Sequence, residues 1–254
     1  MRYKLKGYKM KKGIIVFGFA FVGALVFFGC ASSKQSQEEV VGQHAKTFSK
    51  EIKKKVEMNY LLYLPKNYNS AKEKFPLLLF LHGSGERGSD LNLVKRHGPP
   101  KLIDQGKDFP FIVASPQCPE NVWWSTEDLS ALIDDLIQKY QVDEKRIYVT
   151  GLSMGGYGAW ALVEKFPNRF AAIAPVCGGG NPLTICEIGK LPVWVFHGAK
   201  DPVVPVKEAQ QMVDALKNCG NDVKLTIYPE AGHDAWTETY NNQELYDWLL
   251  KQKK

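Results

Sequence analysis

The chain has 254 residues, a length that one hydrophobic core can serve, so a second full domain is not expected. Its 44% hydrophobic and 24% charged residues lie near ordinary globular usage and exclude a disordered or fibrous body. The formal net charge of +6 does not make a nucleic-acid face: Arg2, Lys4, Lys6, Lys9, Lys11 and Lys12 supply six positive charges before residue 13, leaving the remainder near neutral.

That basic stretch runs into an uncharged segment, Gly13 to Gly29, which ends in the small residues Gly29-Cys30-Ala31. This is the layout of a signal peptide. The ending Phe27-Phe28-Gly29-Cys30 resembles a bacterial lipoprotein processing site with Cys30 as the lipidated residue, although Phe27 stands where Leu is usual. An uncleaved anchor is the competing reading, at the short limit of about 17 residues for a membrane span. A soluble secreted form would need a cleavage site that is not evident. The expectation is an exported protein anchored in the bacterial cell envelope, periplasmic or surface-exposed, with residues 1–29 as leader. Residues 30–51, rich in Ser, Gln, Lys and Glu, form a flexible tether with too few apolar side chains to offset the entropy of ordering them. Residues 52–254 form the folded domain.

Within that domain, Val56 to Leu64 partly alternates and suits antiparallel strands at a sheet edge. Leu77 to Leu81 is continuously apolar, as in a central strand covered on both faces, and stops at His82-Gly83. Phe111 to Ala114 reads as another strand, followed by Leu129, Leu132, Ile133, Leu136 and Ile137 at helical spacing. Arg146 to Thr150 predicts a strand, and a helix begins just after Ser153 and closes at Pro167. Strands at Phe170–Val176, Val193–Phe196 and Val223–Tyr228, a helix at Val206–Asn218 and a last helix from about Asn241 complete the series. Alternating units of this kind imply an α/β fold with a mostly parallel sheet and helices on both faces. The 14 residues between Val176 and Leu191 leave no room for a helical lid.

In an oxidising compartment Cys118, Cys177, Cys186 and Cys219 could pair in three ways, of which Cys177 with Cys186 is the plausible one. Buried free thiols are the alternative.

Gly151-Leu152-Ser153-Met154-Gly155 falls between a predicted strand and a predicted helix, where a strained turn presents a serine hydroxyl at the sheet edge. A serine hydroxyl needs a base within hydrogen-bond reach. His44 lies in the tether, His97 follows a charged stretch, and His82 and His197 open His-Gly turns. His233, in the flexible turn after the last strand, remains. Asp201 lies shortly after the Val193–Phe196 strand and emerges at the same edge, so it can hold the imidazole tautomer and stabilise its cation. Asp222 belongs to the opposite end, and Glu230 and Asp234 are expected to be solvated. Backbone N–H groups of Met154 and, from the loop His82-Gly83-Ser84-Gly85, Ser84 are the candidate oxyanion donors. Trp123 and Trp124 are candidates for stacking on substrate, one of them equally a core residue. Glu86 and Arg87 are expected to pair with each other and brace the oxyanion loop, with contact to substrate as the alternative, and Gly178-Gly179-Gly180 to make a turn.

The serine turn, His82-Gly83-Ser84-Gly85-Glu86-Arg87-Gly88, His197-Gly198-Ala199-Lys200-Asp201-Pro202 and Gly232-His233 together resemble the dienelactone hydrolases and prolyl-oligopeptidase-like esterases. The resemblance covers nearly everything from Val56 onward. Within that group the chain is similar to short lipoprotein "predicted peptidases" and to feruloyl and acetylxylan esterases of carbohydrate esterase family one. It implies an α/β-hydrolase fold and ester substrates on plant cell-wall saccharides. A serine peptidase and a non-catalytic surface-binding lipoprotein stay open as alternatives; the chain has no room for the β-propeller with which prolyl oligopeptidases select peptides. No cofactor is required by such chemistry, and no His-Glu-x-x-His or dense Cys/His cluster suggests a metal.

Overall fold

The computed structural model describes residues 43–254. The predicted leader, Cys30 and most of the tether lie outside the described residues. The chain divides into two units, Met1–Ile52 and Lys53–Lys254. The described part of the first, residues 43–52, is exposed and carries neither helix nor strand.

The second unit holds a seven-stranded sheet of β1 (Tyr60–Tyr63), β2 (Phe75–Leu81), β3 (Ile112–Pro116), β4 (Val142–Leu152), β5 (Ala172–Val176), β6 (Val193–Gly198) and β7 (Val223–Tyr228). Its order is β1-β3-β2-β4-β5-β6-β7; only the edge strand β1 is antiparallel, paired with β3. The helices are α1 (Gly98–Asp104), α2 (Thr126–Lys139), α3 (Met154–Lys165), α4 (Val206–Asn218), α5 (Ala235–Asn241) and α6 (Gln243–Lys251).

Strand periodicity explains the layering. Leu77, Leu79 and Leu81 of β2 point into one core with Leu129 and Ile133 of α2, Leu162 of α3 and Met212 of α4. The alternate residues Leu78 and Phe80 enter a second core with Tyr240 of α5 and Leu245 and Leu249 of α6. Both faces are covered, which is why β2 reads as an unbroken apolar run. Each fully buried large side chain contributes about 1.5–3 kcal/mol relative to exposure. Local signals set the helix ends: Ser125 Oγ accepts the N–H of Asp128 at 3.3 Å to cap α2, and Pro205 precedes α4.

Three expectations need correction. Residues 56–64 give the single strand β1, Tyr60–Tyr63, whose four residues pair antiparallel with β3 from Pro116 back to Val113. The last helix is two helices, separated at Asn242, whose side chain caps α6 through the N–H of Glu244. The disulfide joins Cys186 to Cys219, with Cα atoms 5.7 Å apart, while Cys118 and Cys177 are buried free thiols. Cys186 lies in a 3₁₀ turn, Ile185–Ile188, that packs against α4, and Cys219 closes that helix. Cys177 is nearer in sequence but sits at the buried end of β5.

The loops that matter leave the carboxyl ends of the strands. β3 lies on one side of β2 and β4 on the other, so the loops after β2 and β4 diverge and open a crevice at that edge.

Candidate active site

β4 ends at Leu152 and α3 starts at Met154, with Ser153 between them at φ 51°, ψ −117°. A side chain rarely adopts a positive φ, and close packing explains why the turn holds it. A Cβ on Gly151 would lie 2.3 Å from the Gly155 carbonyl oxygen, and one on Gly155 would lie 2.0 Å from that of Leu81. Only glycine fits either place. The Ser153 N–H donates to the Val176 carbonyl at 2.9 Å, which pins the turn to β5.

His233, in the loop after β7, places Nε2 3.0 Å from Ser153 Oγ and Nδ1 2.7 Å from Asp201 Oδ2. A carboxylate accepts only, so Nδ1–H donates to Asp201 and Nε2 is left to accept the serine proton. Asp201, in the loop after β6, is itself fixed, since its Oδ1 accepts the N–H groups of Val203 and Val204, each at 2.9 Å. Burial pushes its carboxyl up. The hydrogen bonds from His233, Val204 and Val203 outweigh that and hold it below the ordinary carboxylate value.

Ser84 opens a 3₁₀ turn, Ser84–Glu86, and Met154 opens α3. An N–H in the first turn of a helix has no intrahelical acceptor, so both amides can donate to a ligand. The loop carrying Ser84 meets the serine turn: a Cβ on Gly83 would touch Leu152, and one on Gly155 would touch the His82 carbonyl.

Residues 116–247 match the dienelactone hydrolase family, a span that holds Ser153, Asp201 and His233. The chain belongs to that family. Among relatives, it is 26% identical over 179 residues to the "Bifunctional acetylxylan esterase/xylanase XynS20E" of Neocallimastix patriciarum, covering 68% of this chain and 26% of that protein. It is 31% identical over 157 residues to the "Probable feruloyl esterase C" of Aspergillus flavus, covering 58% of this chain and 56% of that protein. Among solved structures, a thermostable esterase superposes with a TM-score of 0.68 at 38% identity, covering 78% of this chain and 60% of that one. The chain thus spans from about a quarter to three fifths of these three relatives. The fold and family agree with what the sequence motifs implied.

Other residues of this dienelactone hydrolase family member divide into braces and rim. His82 is buried, its Nδ1–H donating to Gly83 O at 2.6 Å and its Nε2 accepting the Cys118 N–H at 2.9 Å. Burial lowers its pKa to about 4. Trp124, expected as a substrate contact, is instead buried with its Nε1–H on the His82 carbonyl at 3.3 Å, because its ring fills the space beside Gly158. Trp123 is 64% exposed and meets Tyr157 edge to face, at 6.1 Å between ring centroids. Glu86 and Arg87 brace the Ser84 loop, though not as a pair: Arg87 donates to Ser84 O at 3.0 Å and Val122 O at 3.3 Å, and buried Glu86 faces His97 at 3.8 Å. Gly178-Gly179-Gly180 does not make the expected turn: it is an irregular stretch packed on α3, with Gly178 against the Gly156 backbone, and the turn follows at residues 182–184. Asp234 caps α5, Glu230 pairs with Lys200, and Asp222 precedes β7 at the far end.

Four residues were not singled out for the site from sequence. His197 Nε2 lies 3.3 Å from Asp201 Oδ2 and donates to Val204 O at 2.9 Å. Trp236 stands edge-on to His233, at 5.0 Å between centroids, and His97 stands edge-on to Trp236 at 5.4 Å. Cys177 brings its sulfur to the Asp201–His233 pair, the three donor atoms lying within 4.8 Å of one another. Both His233 nitrogens are already engaged, and burial pushes the Cys177 thiol up to about 12, so it stays protonated at neutral pH. The four-residue step from His197 to Asp201 was the one sequence signal for the first of these; the others have none.

Proposed function

We propose that this chain is a serine carboxylic-ester hydrolase that works through an acyl-enzyme, acts on feruloyl or acetyl esters of plant cell-wall saccharides, and is held at the cell envelope by a lipid on Cys30. The observation that carries the chemistry is the pair of contacts on one imidazole, 3.0 Å to Ser153 Oγ and 2.7 Å to Asp201 Oδ2. In this mechanism the Ser153 oxygen attacks the ester carbonyl carbon as its proton passes to His233 Nε2, and Asp201 stabilises the imidazolium. The carbonyl oxygen becomes an oxyanion within reach of the Ser84 and Met154 N–H groups, each such donor being worth about 2.7–4 kcal/mol in the transition state. His233 returns the proton to the departing alkoxide, leaving the acyl group on Ser153. Water, deprotonated by His233, then attacks that ester, releasing the acid and restoring the serine proton.

The substrate class rests on the acetylxylan and feruloyl esterases among the relatives and on the exposed ring of Trp123, a surface for an aryl or sugar group. Residues 177–192 carry only a 3₁₀ turn, Ile185–Ile188, which suits a site open to polymeric esters. Turnover of p-nitrophenyl acetate and methyl ferulate, set beside peptide anilides with Ser153→Ala as control, tests the reading. Anilide turnover above ester turnover would make the chain a peptidase, and no turnover of either would make it a binding protein. Fatty-acid labelling that disappears in Cys30→Ser tests the anchor.

A further inference from the structure

Beside the triad, a cavity of about 250 Å³ runs between α1 and α5. One wall carries Lys101 of α1 and Gln105, which caps that helix; the other is the α5 face carrying Trp236, Thr237 and Asn241. The cavity is joined to the chemistry by a single ring, for Trp236 lines it and also stands against His233. His97, whose ring meets Trp236, lines it as well and faces Glu86 at the end of the oxyanion turn. Trp236 is thus the side chain shared by the cavity and the surroundings of His233.

The lining states what the cavity would take. It offers amide, hydroxyl and ammonium groups around one indole, the mixture that hydroxylated rings require, and no carboxylate faces it. The Trp236 indole N–H is shielded from solvent and has no acceptor among the described residues. The ring therefore offers the cavity an apolar face and edge rather than its N–H. Lys101 is the lining's one formal charge apart from the histidine and has no ion-pair partner among the described residues.

We propose that this cavity is a subsite for the saccharide portion of the ester, and that Lys101 makes it favour a sugar bearing a carboxylate, a uronate. The proposal rests on the esterase reading above. The test uses the full chain and three substrates: p-nitrophenyl acetate, an acetylated neutral xylo-oligosaccharide and the same oligosaccharide carrying glucuronate. Lys101→Ala is expected to raise KM for the glucuronate substrate roughly three- to tenfold, as loss of one charge-assisted hydrogen bond does. Lys101→Arg should keep KM low, and kcat/KM for p-nitrophenyl acetate should not change in either variant. Equal KM values for the neutral and glucuronate substrates in the unaltered protein would overturn the proposal. So would an equal change for p-nitrophenyl acetate, which would put the acyl group in the cavity. Calorimetric titration of Ser153→Ala with a glucuronate-bearing xylo-oligosaccharide reads the cavity without turnover. Binding weakened by Lys101→Ala supports the subsite even where p-nitrophenyl acetate is not hydrolysed and the esterase reading fails; no binding overturns it.

Discussion

His197 Nε2 lies 3.3 Å from Asp201 Oδ2, so the carboxylate oxygen that receives the His233 N–H also has a second, fully buried imidazole against it. His197 spends its N–H chiefly on Val204 O, and Val204 in turn donates to Asp201 Oδ1. The loop that aims Asp201 is thus closed on itself through His197. Replacing it leaves a buried carbonyl unpaired, a loss of about 1–3 kcal/mol, and lets the carboxylate drift. His197→Ala should lower both the urea midpoint and kcat on p-nitrophenyl acetate, with His197→Asn recovering part of each. An unchanged kcat would show that Asp201 needs no such support.

Asp201→Asn keeps the size of the side chain but can present an amide to His233 Nδ1, which favours the tautomer that cannot take the serine proton. A loss of about 10⁴ in kcat is expected, together with a lower urea midpoint at neutral pH, where the ionised carboxylate contributes its stability. The shift of Asp201 below the ordinary carboxylate value has a stability consequence of definite sign. The unfolded chain binds this proton more tightly, so the stabilisation is complete above the ordinary carboxylate pKa and is lost as pH falls through the lower folded value. The Asn variant should lack that acid limb in a series of urea titrations.

His82 gives a second pH effect in a higher window. Its folded pKa falls from 6.5 to about 4, so between those values the unfolded chain binds the extra proton and stability declines as pH drops. At about 1.4 kcal/mol per unit the full penalty is roughly 3 kcal/mol, reached near pH 4. The cause is burial, with the positive charge of Arg87 adding to it and the hydrogen bond to Gly83 opposing it. Urea midpoints should fall from pH 7 to pH 4.5 in the unaltered chain and change less in His82→Gln.

Gly155→Ala asks the turn to accept a Cβ 2.0 Å from a main-chain oxygen. Backbone must move, at a cost of about 1–3 kcal/mol or more, and Ser153 Oγ moves with it. Both the denaturation midpoint and ester turnover should fall together, whereas Gly85→Ala, where a Cβ meets nothing within 4 Å, should leave the midpoint within about 0.5 kcal/mol of its value.

The Cys186–Cys219 link closes a sequence separation of 33 residues. Restricting an unfolded loop of that length is worth about 3–4 kcal/mol in the chain-entropy account. Dithiothreitol, or the double change Cys186→Ser and Cys219→Ser, should lower the urea midpoint accordingly while ester turnover in the folded protein persists. Substituting buried Cys177 should not abolish the response to dithiothreitol.

Sequence periodicity and spacing were enough for the alternating strands and helices, for α4 and β7 to the residue, and for Ser153, Asp201 and His233 as the groups that meet. These were legible because they rest on local causes: a period of two or 3.6, a turn that admits only glycine, and loops that must leave the same end of parallel strands. What only the tertiary structure decided was which side chain faces which across long separations. Trp124 under His82, Cys186 on Cys219, His197 behind Asp201 and Trp236 beside His233 are all settled by how two packed layers and their loops come together. Such contacts leave no periodic trace in the chain, since each partner obeys only its own local pattern until the sheet brings them into touch.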